Sequence, residues 1–180
     1  MNAGEALVRT LDSHGVDTGF CVPGESYLAV LESLRGHANS IRLITNRHES
    51  GATFAANGYA KISRKPGIAF VSRGPGATNA SVGIHTAYQD STPVILFIGQ
   101  VARDMIEREA FQEIDFRRMF GQMSKWVAQI DDPARIPEFI SHAYHVATSG
   151  RPGPVVLALP EDMQSERADA PETGPYKEIQ

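Results

Sequence analysis

The 180-residue chain has one cysteine, Cys21, which excludes an internal disulfide framework and fits a reducing compartment. No apolar run approaches the ~20 residues needed to cross a bilayer. The amino terminus, Met1-Asn2-Ala3-Gly4-Glu5-Ala6, lacks a basic region followed by an apolar core, so no signal peptide is expected and the expected location is cytoplasmic. Excess positive charge is also missing. A formal charge of −4 leaves no electrostatic footing for nucleic acid or for an anionic membrane surface. There is no internal repeat and no low-complexity segment.

What is present suits one globular domain, large enough to bury a core without disulfides or metal. Helical spacing of Ala6, Leu7, Val8 and Leu11 predicts a helix over residues 3–14, stopped at Gly15. A short strand over 18–22 ends at Pro23-Gly24, and a helix follows over 26–34. A strand over 41–44 leads to a helix that carries Glu49 and runs to about Ser63. Strands are predicted over 68–72 and 94–98, joined by a turn at Gly74-Pro75-Gly76 that leads into a helix ending near Asp90-Ser91. The polar stretch from Gln100 to Met123 is less regular, partly helical from Glu113. A strand over 126–130, an amphipathic helix over 133–148 and a last strand over 155–159 complete the pattern. From Glu161 onward apolar residues thin out, and a surface tail or linker is expected.

Strands alternating with helices, several of them apolar on both faces, predict an open α/β fold. Its parallel sheet of about six strands should be covered by helices on both faces. Such sheets bind ligands outside the carboxyl ends of their strands. That rule places Pro23-Gly24, Asn46 to Glu49, Ser72 to Gly76 and Gly99-Gln100 along one edge.

Each candidate motif has a plainer alternative. Gly74-Pro75-Gly76-Ala77-Thr78-Asn79 is a poor dinucleotide fingerprint, because Asn79 stands where the third glycine belongs. A tight turn, or a loop approached closely by a flat ligand, fits it better. His48-Glu49 is not a zinc-protease motif, because the second histidine would fall at Ala52. Asn46 with Glu49 reads as a capping box. Cys21 reads as a buried strand residue, His85, His142 and His145 as solvated or packed helical residues, and the mixed charges from Arg103 to Glu109 as solvated surface.

Taken singly, these readings leave a set of stretches in order unexplained: Arg47-His48-Glu49, Gly58-Tyr59-Ala60, Ser72 to Asn79, Ala87-Tyr88-Gln89-Asp90-Ser91, Gly99-Gln100-Val101, Phe111-Gln112-Glu113 and Gly150 to Val155. Over roughly residues 3–163 the chain closely resembles the N-terminal, pyrimidine-binding domain of the acetolactate synthase branch of thiamine-diphosphate enzymes. The resemblance implies a thiamine-diphosphate-binding fold over residues 1–163, with residues 164–180 as a tail or linker to a central domain.

It further implies that Glu49 hydrogen-bonds the aminopyrimidine of thiamine diphosphate and activates it, with the cofactor carrying the hard chemistry. Pro23, Gly24, Ser72, Gly74, Gly76 and Asn79 match the loops around that ring. Phe111 and Gln112 match the face where a 2-keto acid such as pyruvate would react, with the Gln112 amide as a catalytic contact to a keto-acid oxygen. Lys125 corresponds to a pocket lysine, although its neighbour Trp126 departs from the pattern. Arg151 matches a position that contacts FAD. The implied assembly is a homodimer or homotetramer with active sites at subunit interfaces. The small residues Gly51, Ala52, Ala55, Ala56 and Gly58 would turn the Glu49 helix toward a partner subunit.

Three departures stand out. Glu25 follows Gly24 where the family has a second glycine. Arg73 replaces a small residue, predicting a cation at the cofactor edge or paired across an interface. Residues 105–109 also differ from the usual run. No Asp-Gly dipeptide occurs, so the Gly-Asp-Gly motif that holds the diphosphate and its Mg2+ in this superfamily is expected on another domain. No metal ligands are expected in this chain, which alone should be nearly inactive. Alternatives are a natural half-enzyme resembling the small subunit of sulfopyruvate or phosphonopyruvate decarboxylase, and a non-catalytic module of the same fold.

Overall fold

The computed structural model describes residues 1–169, 171 and 174. Its six strands are β1 (Thr18–Cys21), β2 (Arg42–Thr45), β3 (Gly67–Val71), β4 (Val94–Gln100), β5 (Trp126–Gln129) and β6 (Val155–Pro160). All pair in parallel, in the order β2-β1-β3-β4-β6-β5. The helices are α1 (Ala3–Ser13), α2 (Leu28–Gly36), α3 (Glu49–Ser63), α4 (Gly74–Gln89), α5 (Phe116–Phe120), α6 (Ile136–Thr148) and α7 (Glu161–Ser165). The expected α/β fold is present, with element ends moved by up to three residues: α6 begins at Ile136 rather than at 133, and α4 takes in the expected turn at Gly74.

Alternate residues of the central strands feed two cores, because successive side chains of a strand point to opposite faces. Ile68, Phe70, Ile95, Phe97, Val155 and Leu157 pack with α1, α2 and α6 on one face. Ala69, Val71, Leu96, Ile98, Val156 and Ala158 pack with α3, α4 and α5 on the other. Each large side chain so buried contributes about 1.5–3 kcal/mol relative to exposure. The edge strands β2 and β5 are only partly buried, as their more polar sequences require.

The connections set the position of a crevice. From β1 the chain leaves through α2 toward β2 on one face; from β3 it leaves through α4 toward β4 on the other. The carboxyl ends of β1 and β3 therefore lie side by side with their loops diverging, the arrangement that opens a ligand crevice in such sheets.

Helices α3 and α4 meet along a tight seam. Thr53 Oγ1 donates to the Ala80 carbonyl at 3.2 Å, and Asn57 Nδ2 donates to the Gly83 carbonyl at 2.9 Å. Gly83 permits this approach, because a Cβ there would sit 2.1 Å from Thr53 Oγ1. Ala52 and Ala56 are fully buried in the same core. Part of the small-residue stripe expected to meet another subunit is thus consumed within the chain.

Two further expectations change. Arg103 is not merely solvated: it donates to Asp162 at 2.7 Å, to the Asp131 carbonyl at 2.7 Å and to Glu166. The stretch after Glu161 folds back as α7, burying Met163, Gln164 and Ala168. Gln164 Nε2 donates to the Ser26 carbonyl at 2.8 Å and the Leu159 carbonyl at 2.9 Å. The tail reading for 170, 172–173 and 175–180 falls outside the described residues.

Gly83→Ala is expected to destabilise the domain by about 1–3 kcal/mol through overpacking of the α3–α4 seam. Urea denaturation measures this, and an unchanged midpoint would contradict the packing described.

Candidate functional site at the carboxyl edge

Glu49 opens α3 directly after the turn that follows β2. His48 caps the helix, its Nδ1 accepting from the Ser50 amide at 3.3 Å. The expected Asn46–Glu49 capping box does not form. Asn46 is turned back onto the sheet, its backbone amide donating to the Cys21 carbonyl at 2.7 Å and its Nδ2 to the Ile44 carbonyl at 3.1 Å. The Glu49 carboxylate is therefore released from local duty. Its Oε2 accepts from Asn79 Nδ2 at 2.9 Å, and its Oε1 lies 3.5 Å from where a Cβ on Gly76 would stand.

The loops after β1 and β3 close around the same point. A Cβ on Gly24 would lie 2.7 Å from Ser72 Cβ, so only glycine lets these loops touch. Ser26 and Ser72 share a hydroxyl–hydroxyl hydrogen bond of 3.0 Å. The structure thus brings together Gly24, Ser72, Gly76, Asn79 and Glu49, with Pro23 in the same loop. Tyr27, unremarked in the sequence, is buried beneath them and donates to the Val22 carbonyl at 2.5 Å. Burial pushes its hydroxyl far above the ordinary range, with the charges of Cys21 and Glu49 adding to the effect. A single tyrosine in a short helix carries no pattern that would have signalled this.

Gln112 reaches the same edge by a different route. Its carbonyl accepts from the Gly74 amide at 2.9 Å, and its side of the loop borders an open groove of about 430 Å³ shared with Gly74, Thr78, Asn79 and Ile114. Gln112 has φ +65°, and Glu107 and Glu109 also adopt positive φ. Such conformations cost on the order of 1–3 kcal/mol each and persist only where surroundings hold them. Here Glu113 holds the loop, accepting from the amides of Glu107 at 2.6 Å and Ala110 at 3.1 Å. Phe111 projects outward and is 73% exposed.

Two expected site residues are elsewhere. Lys125 precedes β5 at the amino edge, where its ammonium donates to the carbonyls of Val146 and Ser149, capping the end of α6. Burial lowers its proton affinity. Arg151 precedes β6 at that same edge. Its guanidinium bonds Ser91 Oγ at 2.7 Å and the Gln89 carbonyl at 3.1 Å, closing the carboxyl end of α4. Within this chain neither residue joins Glu49 or Gln112.

Arg73 is buried at the carboxyl edge, and its partners belong to its own chain. It pairs with Glu25 at 3.2 Å and with Glu161, while its Nε has no hydrogen-bond partner. The unusual Glu25 and the unusual Arg73 therefore neutralise each other. Together with Glu161 they tie the loops after β1, β3 and β6 around the crevice.

Among the described residues no group of histidine, cysteine, aspartate and glutamate could hold a metal ion, and no helix is long and apolar enough to cross a membrane. A parallel sheet with a carboxylate at its switch-point crevice defines an α/β domain with a candidate ligand site. Comparison with known proteins narrows the class. The family described as "Thiamine pyrophosphate enzyme, N-terminal TPP binding domain" matches residues 1–119, and the chain belongs to it. A probable acetolactate synthase large subunit of Methanocaldococcus jannaschii is 41% identical over 169 residues, covering 94% of this chain and 28% of that protein. The chloroplastic acetolactate synthase of Arabidopsis thaliana is 42% identical over 164 residues, 91% of this chain and 24% of that protein. An acetolactate synthase large subunit of Lactococcus lactis is 42% identical over 161 residues, 89% and 28% respectively. The chain spans about a quarter of the length of these relatives.

The Arg73 cluster yields a test of sign. Replacing a buried ion by an apolar side chain is often neutral, whereas leaving it unpaired is costly. Arg73→Met should leave thermal stability nearly unchanged. The double variant Glu25→Gln, Glu161→Gln should lose up to about 3 kcal/mol, limited by the exposure of both carboxylates. Equal effects in thermal melts would contradict this account.

Proposed function

We propose that this chain supplies the aminopyrimidine-activating half of a thiamine-diphosphate site in a protein of acetolactate synthase type, acting on pyruvate or another 2-keto acid. The observation that carries the reading is Glu49, whose Oε2 is tethered by Asn79 while Oε1 faces the crevice beside Gly76. The residues present fit a flat ring. Any side chain at 76 would fill the space next to Oε1 and to Ser72, the residue that the Gly24 loop touches.

Bound there, the cofactor would supply a nucleophilic carbon and an electron sink for decarboxylation and ligation of the keto acid. The part of this chain is to hold and polarise. Glu49 would share a proton with a ring nitrogen of the bound group, a task for a carboxylate partly withdrawn from water. Pro23, Gly24, Ser72, Gly74 and Gly76 shape the walls. Gln112, braced against Gly74, offers an amide to a keto-acid oxygen across the groove, with Phe111 beside it. The diphosphate and Mg2+ would be held by groups from another domain or chain. A contact between FAD and Arg151 would fall on the amino edge, remote from Glu49, in keeping with a flavin that takes no part in the reaction.

The reading includes a second subunit. Gly51, Phe54, Gly58 and Ile62 form an exposed stripe along α3, with Phe54 45% and Ile62 87% exposed, and Val82 of α4 stands exposed on the neighbouring helix. An apolar stripe ending at the level of Glu49 suits an isologous contact that completes the crevice.

In the full-length protein Glu49→Gln should still bind thiamine diphosphate but exchange its C2 proton about 10²–10⁴-fold more slowly. Near-normal exchange, read by NMR after quenching, would refute the role of Glu49. Sedimentation should show dimers or tetramers that dissociate on Phe54→Lys with Ile62→Lys; an unaffected assembly would place the interface elsewhere.

A further inference from the structure

Glu49, Thr53 and Asn57 recur every fourth residue along α3, so they lie one above another on a single face of the helix. Each makes a hydrogen bond to α4. Asn57 Nδ2 meets the Gly83 carbonyl, Thr53 Oγ1 the Ala80 carbonyl, and Glu49 Oε2 the Asn79 amide, at 2.9, 3.2 and 2.9 Å. The lower two rungs are buried and join the helices through backbone groups. The top rung alone is side chain to side chain and sits at the crevice. An ionised carboxylate only accepts, so the Asn79 side chain must present its nitrogen and turn its oxygen away.

We infer that Asn79 is a positioning residue that acts through Glu49 rather than a ligand of the cofactor. Its amide holds one carboxylate oxygen and thereby aims the other at the space beside Gly76. The lower rungs keep α3 and α4 from sliding, which fixes the Asn79 amide relative to the start of α3. Without the tether, Glu49 would be free at the exposed end of a helix to rotate into solvent. Catalytic groups held by supporting hydrogen bonds lose efficiency steeply when that support is removed, because small misplacements of a reacting group are expensive. The inference rests on the proposed role of Glu49.

The test compares Asn79→Leu, which keeps the shape and loses the donor, with Asn79→Gln, which keeps a donor, and with Glu49→Gln, all in the full-length protein. Asn79 is exposed, so folding should be unaffected, and thermal midpoints check this. Asn79→Leu should slow C2 proton exchange about 10–100-fold with calorimetric affinity for thiamine diphosphate little changed. Asn79→Gln should recover most of the rate. Crystals of the Leu variant without cofactor should show the Glu49 carboxylate turned away from Gly76. Exchange at the normal rate in Asn79→Leu, or a carboxylate still beside Gly76, would overturn the inference and leave the role of Glu49 intact. Cofactor affinity falling in step with exchange would overturn it too, by making Asn79 a direct ligand. Normal exchange in Glu49→Gln would instead remove the reading on which the inference rests.

Discussion

The constraint on which everything else depends is that all six strands run the same way. A parallel sheet cannot be closed by short hairpins, so every connection must cross a face, and both faces end up covered. Central strands are then buried on both sides, which is why β3, β6 and β4 up to its terminal Gln100 are apolar. The same constraint gathers every loop that leaves a strand at one edge. Residues as distant in sequence as Gly24, Glu49, Ser72 and Gln112 arrive together there.

The two edges do different work. At the amino edge, Lys125 and Arg151 close the free carbonyls of α6 and α4, a use of cations that complements the negative ends of helices. At the carboxyl edge, charges link loops to one another. Arg73 joins three connections and Arg103 joins two more, so the rim of the crevice is fastened by side chains while its floor is fastened by the sheet.

How much of this could be read from sequence follows from the range of the interactions. The strands were legible because a doubly buried strand must be an apolar run, and the helices because their periodicity is local. Glu49 was legible through a series of motifs in register. The partners of Arg103 lie 28, 59 and 63 residues away, so its neighbours in sequence suggested only a solvated surface. Likewise α7 contains one large apolar residue, Met163, and owes its burial to Gln164, whose amide bonds lie with backbone from two elements. A polar residue buried by hydrogen bonding has no hydrophobic signature. The capping box failed for a similar reason: Asn46 had a stronger claim from the sheet than from the helix three residues on.

One feature of the crevice sets stability against use. Gln112 holds a left-handed backbone that glycine would adopt freely and that asparagine tolerates better than glutamine. Random replacement at this position would meet a ready gain: a glycine there relaxes the loop and preserves the carbonyl bonded to Gly74. The side chain that overlooks the groove would be lost in the same step. A library sorted only for thermostability should therefore drift toward glycine at 112, while one sorted for turnover should resist it, making this residue a marker of which pressure has acted on a given sequence.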